Sequence, residues 1–259
     1  SAGVAMVAGS YFLGSTPDAS GYSSTFVLAF VLTMCGLMML AFMKEPRPPI
    51  LRAPVSLLNR TRDIPGLLRE DSAFAKYFVA RAITNAGRMA MPFYVLYAAS
   101  SMALSGENLA IITIAFTLAG TLSNLVWGAV ADRRGFRLVF LLSVALWIVA
   151  TLALILTHGL PLTAVVFAAI GAAVQGFQNA SVNLTLEFGQ REDLPVRIAI
   201  ANMASELTGA LGILSGGLIA AALGYEAVFV VSTAFLFFGG LLVVTRVAEP
   251  RAKTAGPGR

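Results

Sequence analysis

Stretches of about 20 apolar residues recur along this chain, each cut off by a short polar or glycine- and proline-containing connection. As a helix, a run of that length covers a bilayer core of about 30 Å. Inside a bilayer every backbone N–H and C=O must be paired within the protein, and only helices and closed barrels achieve that. The runs are continuous and not alternating, which disfavours a barrel. The expected fold class is therefore all-α, a polytopic integral membrane protein. Composition agrees, with 58% hydrophobic and 12% charged residues, where a soluble domain carries about 25% charged.

One truncated helix is expected over 1–14, and seven complete ones over 24–43, 73–98, 108–131, 137–157, 161–186, 196–223 and 226–246. The opening "SAGVAMVAGSYFLG" has no basic leader of the signal-peptide kind. It reads as the last turns of a longer helix, and the chain as a fragment. Alternate connections carry the charge: 44–72, the turn at 132–137, the loop 187–197 and the tail together hold 15 of the 18 Lys and Arg residues. The intervening loops hold none. Excess Lys and Arg marks the cytoplasmic side, so the C-terminus is expected to be cytoplasmic and 15–23 external. The net charge of +5 then reflects loops facing the cytoplasm and not a nucleic-acid surface. Cys35 and His158 are single, and no His/Cys/Asp/Glu cluster with metal spacing accompanies them, so neither metal nor cofactor is expected.

The densest short charge cluster falls in the turn "WGAVADRRGFR" (127–137). Residues 128–137 read G-x-x-x-D-R-x-G-x-R, with Gly128, Asp132, Arg133, Gly135 and Arg137 at the fixed positions. This resembles the signature loop of the major facilitator superfamily, which recurs between the second and third helices of each half of its members. Each residue type has a physical role there. Gly128 admits a close neighbouring helix. Gly135 permits positive φ in a tight turn. Asp132 pairs with Arg133 or accepts from a helix N-terminus. Arg137 reaches lipid phosphates or a carboxylate on the next loop. The resemblance implies a breakable cytoplasmic latch, with Glu187, Arg191 and Arg197 on the same membrane side as partners. It makes the seven complete spans helices six to twelve of twelve. The segment 1–43 is then the remnant of an N-terminal bundle, 44–72 the cytoplasmic linker, 73–246 the C-terminal six-helix bundle and 247–259 a cytoplasmic tail. The remainder of the N-terminal bundle is the expected partner, along with a small solute and the bilayer, with the cell membrane as the expected location.

Ionisable residues within a span point to function. Arg81, Asn85 and Arg88 recur at i, i+4 and i+7, one face of a helix. Arg88 lies roughly 20 Å from the cytoplasmic end, too deep to snorkel easily, whereas Arg81 at roughly 10 Å is placed to do so. Gly87 and Pro92 soften the helix around Arg88. Glu206 lies roughly 15 Å into its span, with Asn202, Ser205 and Gly209 on its side, and is a candidate for proton or substrate coupling. Arg88 and Glu206 can also simply neutralise one another. Thr113, Thr117, Thr121, Asn124 and Gly128 form a stripe suited to tight helix packing. Gln175, Gln178, Asn179 and Asn183 point to a water-filled cavity. The expected function is secondary active transport of a small solute by alternating access, coupled to protons or ions. A seven-helix receptor is the alternative, argued against by the helix remnant before the first complete span and the long 44–72 loop. A membrane-embedded enzyme is disfavoured because no H-E-x-x-H, G-x-S-x-G or phosphate-binding glycine motif occurs.

Overall fold

The computed structural model describes residues 19–42, 71–101, 105–188 and 194–247, together with Gly66 and Arg69. The expected helix at 1–14, most of the linker, Arg191 and the tail lie outside the described residues. The described chain is all-α: α1 (Ala19–Ala41), α2 (Ser72–Ala86), a 3-10 turn (Gly87–Ala90), α3 (Met91–Ser101), α4 (Gly106–Arg134), α5 (Phe136–Ile155), α6 (Leu160–Glu187), α7 (Leu194–Leu223) and α8 (Tyr225–Arg246). Five of these, α4 to α8, are long and apolar enough to cross a membrane. All seven complete spans expected from the sequence coincide with helices.

The span at 73–98 is interrupted, and Pro92 explains where. A proline ring clashes with the carbonyl four residues earlier and offers no N–H to it. That carbonyl belongs to Arg88. It is taken up instead by the Met91 N–H in a 3-10 bond. The shift releases the Gly87 carbonyl, which accepts the Ser232 hydroxyl of α8 at 2.6 Å. A freed backbone group inside a membrane protein is thus paired by a neighbouring helix.

Helices α2 and α4–α8 pack through two apolar clusters. One gathers Phe74, Tyr77, Phe140, Trp147, Phe177 and Leu236 toward the end where the arginines collect. The other gathers Tyr94, Ile112, Leu154, Phe167, Ile170 and Phe229 toward the opposite end. Between them the Trp147 indole donates to the Tyr94 hydroxyl at 3.0 Å, and that hydroxyl lies 2.8 Å from Thr151 Oγ1. Large apolar side chains such as Leu125, Leu156, Leu214 and Leu218 stay exposed. Lipid is as apolar as they are, so the helices are held by close packing and not by a drive to hide these residues. Gly212 and Gly216 of α7 illustrate that packing. A Cβ on Gly212 would lie 2.9 Å from the Ala86 carbonyl oxygen, and one on Gly216 would lie 3.1 Å from that of Met89.

Candidate functional site

The polar face of α2 and the turn meets the polar face of α7 rung by rung. Arg81 Nη2 donates to Asn202 Oδ1 at 2.9 Å. One turn on, Asn85 Nδ2 donates to the Ser205 carbonyl. One turn further, Arg88 Nη1 stands 3.4 Å from Glu206 Oε1. Two stripes with the same helical period therefore lie side by side, and small Gly209 leaves the room: a Cβ there would lie 3.1 Å from Asn85 Nδ2.

The rungs differ in their electrostatics. Arg81 is 6% exposed and does not reach back to water, contrary to the snorkelling expected at its depth. Its second terminal nitrogen donates to Thr185 Oγ1 of α6 at 2.9 Å. Among the described residues this buried cation is held by neutral oxygens and pairs with no carboxylate. Arg88 and Glu206 neutralise one another, with side chains 26% and 76% exposed. Glu206 is thus accessible on the face of α7 and not buried in a helix interface.

The remaining polar candidates on α6 are half-buried. Asn179 donates to Asn124 of α4. Asn183 donates to the Asn179 carbonyl of its own helix at 2.8 Å. Gln175 and Gln178 are also half-buried on this helix. Asn124 of the α4 stripe bonds across to α6, while Thr121 returns its hydroxyl to the Thr117 carbonyl.

At the arginine-rich end, Gly135 turns α4 directly into α5 with φ of 83°, as expected of its place in the motif. The other motif residues depart from expectation. A Cβ on Gly128 would meet nothing within 4 Å, so no described helix packs on it. Asp132 is exposed and makes no bond or ion pair among the described residues, and α5 has no side-chain cap. Arg133 and Arg134 are exposed. Arg137 pairs with no carboxylate among the described residues. Its Nη2 donates to the Val244 carbonyl at 2.9 Å and approaches that of Val243 at 3.4 Å, satisfying carbonyls at the C-terminal end of α8.

Arg197 also has an unforeseen partner. It meets Asp71 Oδ2 at 2.6 Å, and its guanidinium carbon lies 4.8 Å from the centre of the Phe74 ring. Asp71 Oδ1 accepts the Phe74 N–H at 3.0 Å and caps α2. One carboxylate thus starts α2 and ties it to the start of α7. The Asp-Ser pair ahead of an apolar run was a readable capping signal, but nothing in the sequence pointed to Arg197 as the partner of Asp71.

Burial raises the affinity of Asp71 for a proton, but the Phe74 N–H and the Arg197 guanidinium more than offset it and hold the carboxyl below its ordinary value. A carboxylate so lowered stabilises the fold above pH about 4 and gives up that contribution as pH falls through the lowered value. Asp71→Asn keeps the cap while leaving Arg197, 7% exposed, without its counter-charge. It is expected to destabilise the bundle by about 2 kcal/mol at neutral pH. Thermal denaturation between pH 3 and 7 checks this: the gap between parent and variant should close at the acid end.

The family model described as Major Facilitator Superfamily matches residues 73–259. A search of curated proteins finds no match. The match takes in α2 through α8, the signature turn and the α2–α7 ladder alike. The chain belongs to the major facilitator superfamily, and it is an integral membrane protein of that family of transporters.

Proposed function

We propose that this chain contributes the C-terminal bundle of a secondary transporter that moves a small solute by alternating access, with Arg88 and Glu206 as the coupling pair. The observation that carries the reading is the ladder between α2 and α7. It places one cation and one carboxylate 3.4 Å apart on an accessible face, beside a helix break. An intramembrane pair of that kind can open to release a proton or admit a charged solute, and it closes again without leaving a bare charge in lipid. The N-terminal bundle of the same polypeptide supplies the opposite wall of the pathway, and helix 19–41 with its linker joins the two. Asp132, exposed at the end of α4, is the latch residue offered to that bundle. Excess Lys and Arg in alternate connections supports a cytoplasmic C-terminus.

Alternating access has a direct test in the whole transporter with its native cysteines, Cys35 included, replaced by serine. In that background, Ala210→Cys places a thiol one turn beyond Glu206 on the exposed side of α7. Sealed vesicles of known orientation are treated with a membrane-impermeant maleimide from either side. Labelling from both sides is expected. Labelling from one side only would rule out alternating exposure of this face.

A further inference from the structure

Two grooves at the arginine-rich end of the bundle share one design. The first, about 560 Å³, runs between α4 and α5, with Leu125, Val126, Leu138 and Leu142 in its apolar floor and Arg133 and Arg134 at its rim. The second, about 320 Å³, runs between α2 and α8, with Val79 and Leu242 below Lys76 and Arg246. No acidic residue lines either groove. Among the described residues none of the four cations pairs with a carboxylate, and Arg137 is already engaged by the α8 carbonyls. Each groove is therefore an apolar trough that opens under two cations that pair with no carboxylate among the described residues.

The geometry points to anionic phospholipid as the occupant, one acyl chain along each floor and the phosphate between the paired cations. Charge complementarity selects the anionic headgroup, since a phosphate accepts from two cations at once. The repetition on two different helix pairs favours lipid over a unique protein segment, because lipid meets every face of the bundle while such a segment has one place to bind. The inference rests on the chain being embedded in a membrane and not on its transport activity. The orientation of the chain decides only which leaflet supplies the lipid.

Native mass spectrometry of the full chain, released from a neutral detergent, tests this with phosphatidylglycerol and phosphatidylcholine of identical acyl chains. Each basic residue near a headgroup contributes about fivefold, so two should favour phosphatidylglycerol by about 30-fold at each groove. Two retained phosphatidylglycerols are expected. Arg133→Gln with Arg134→Gln should lose one, and Lys76→Gln with Arg246→Gln the other, at unchanged helical circular dichroism. Should a glutamine pair fail to fold, Ala129→Phe fills the first trough without touching its charge and should also lose one lipid. Equal retention of the two lipids, or phosphatidylglycerol retention indifferent to all these changes, overturns the assignment and leaves the grooves to a protein segment. Displacement by glycerol 3-phosphate at equal concentration overturns it too, since the phosphate alone would then suffice.

Discussion

Gly171→Ala is expected to destabilise the bundle by about 3 kcal/mol, while Gly217→Ala, on the next helix in sequence, is neutral or slightly stabilising. In an exposed helix interior alanine is better than glycine by about 1 kcal/mol, so a loss at Gly171 runs against intrinsic propensity. The reason is the crossing of α4 and α6. A Cβ on Gly171 would press on the Phe116 carbonyl, 2.8 Å from its carbon and 3.0 Å from the Phe116 Cα. Opposite it, a Cβ on Gly120 would lie 3.2 Å from the Gly171 oxygen. Backbone faces backbone at this crossing, so no side chain can rotate aside and the helices must part. Parting them forfeits the close packing that holds helices together in lipid. A Cβ on Gly217 meets nothing within 4 Å. Unfolding midpoints of both variants in the same detergent decide the matter: a Gly171→Ala protein as stable as its parent would mean that the crossing is looser than described.

What the sequence made legible here was periodic. Apolar runs of bilayer length located a helix at each of the seven expected spans, because length and continuity alone decide that question. Arg81, Asn85 and Arg88 were readable as one face, and Asn202, Ser205 and Glu206 as another, because spacing fixes which residues share a side of a helix. That these two faces meet was not readable, since periodicity carries no information about which helix lies next door. The same gap explains the motif. Gly135 was correctly expected at positive φ because the turn is local. Arg137 was expected at a phosphate or carboxylate and instead holds α8 carbonyls more than 100 residues away in the chain. Arg81 was misjudged for a related reason: depth alone allowed snorkelling, but Thr185 and Asn202 supply acceptors that depth does not reveal. The break at Gly87–Ala90 lay between these extremes, since Pro92 marks a disturbed helix but not the 3-10 bond and the Ser232 hydroxyl that accommodate it.

Glu206→Gln should leave the stability of the protein within about 1 kcal/mol of the parent and yet remove its pH response. The two halves of this expectation come from the same geometry. Glutamine keeps an oxygen that can accept from Arg88 Nη1 across the 3.4 Å contact, so the contact survives the loss of the carboxylate's charge. The neighbouring rungs, Arg81 to Asn202 and Asn85 to the Ser205 carbonyl, remain to hold α2 against α7. On the proposed mechanism, function depends on a different quantity, the difference in how well the inward- and outward-open states hold a proton at this carboxylate. A proton held tenfold more tightly by one state than by the other shifts their ratio by about tenfold. In the same cysteine-free background, with Gln178→Cys added, maleimide labelling from the two sides of a vesicle reports that ratio. With equal pH on both sides, dividing one rate by the other cancels the thiol's own titration. The parent ratio should move about tenfold between pH 5 and 8, and that of Glu206→Gln less than twofold. Arg88→Gln tests the partner, because an unpaired carboxylate should favour whichever state lets water reach it and so displace the ratio even at pH 8. A Glu206→Gln protein that kept the parent's pH profile would make the carboxylate a structural counter-ion for Arg88 and move the search for the coupling group to α6.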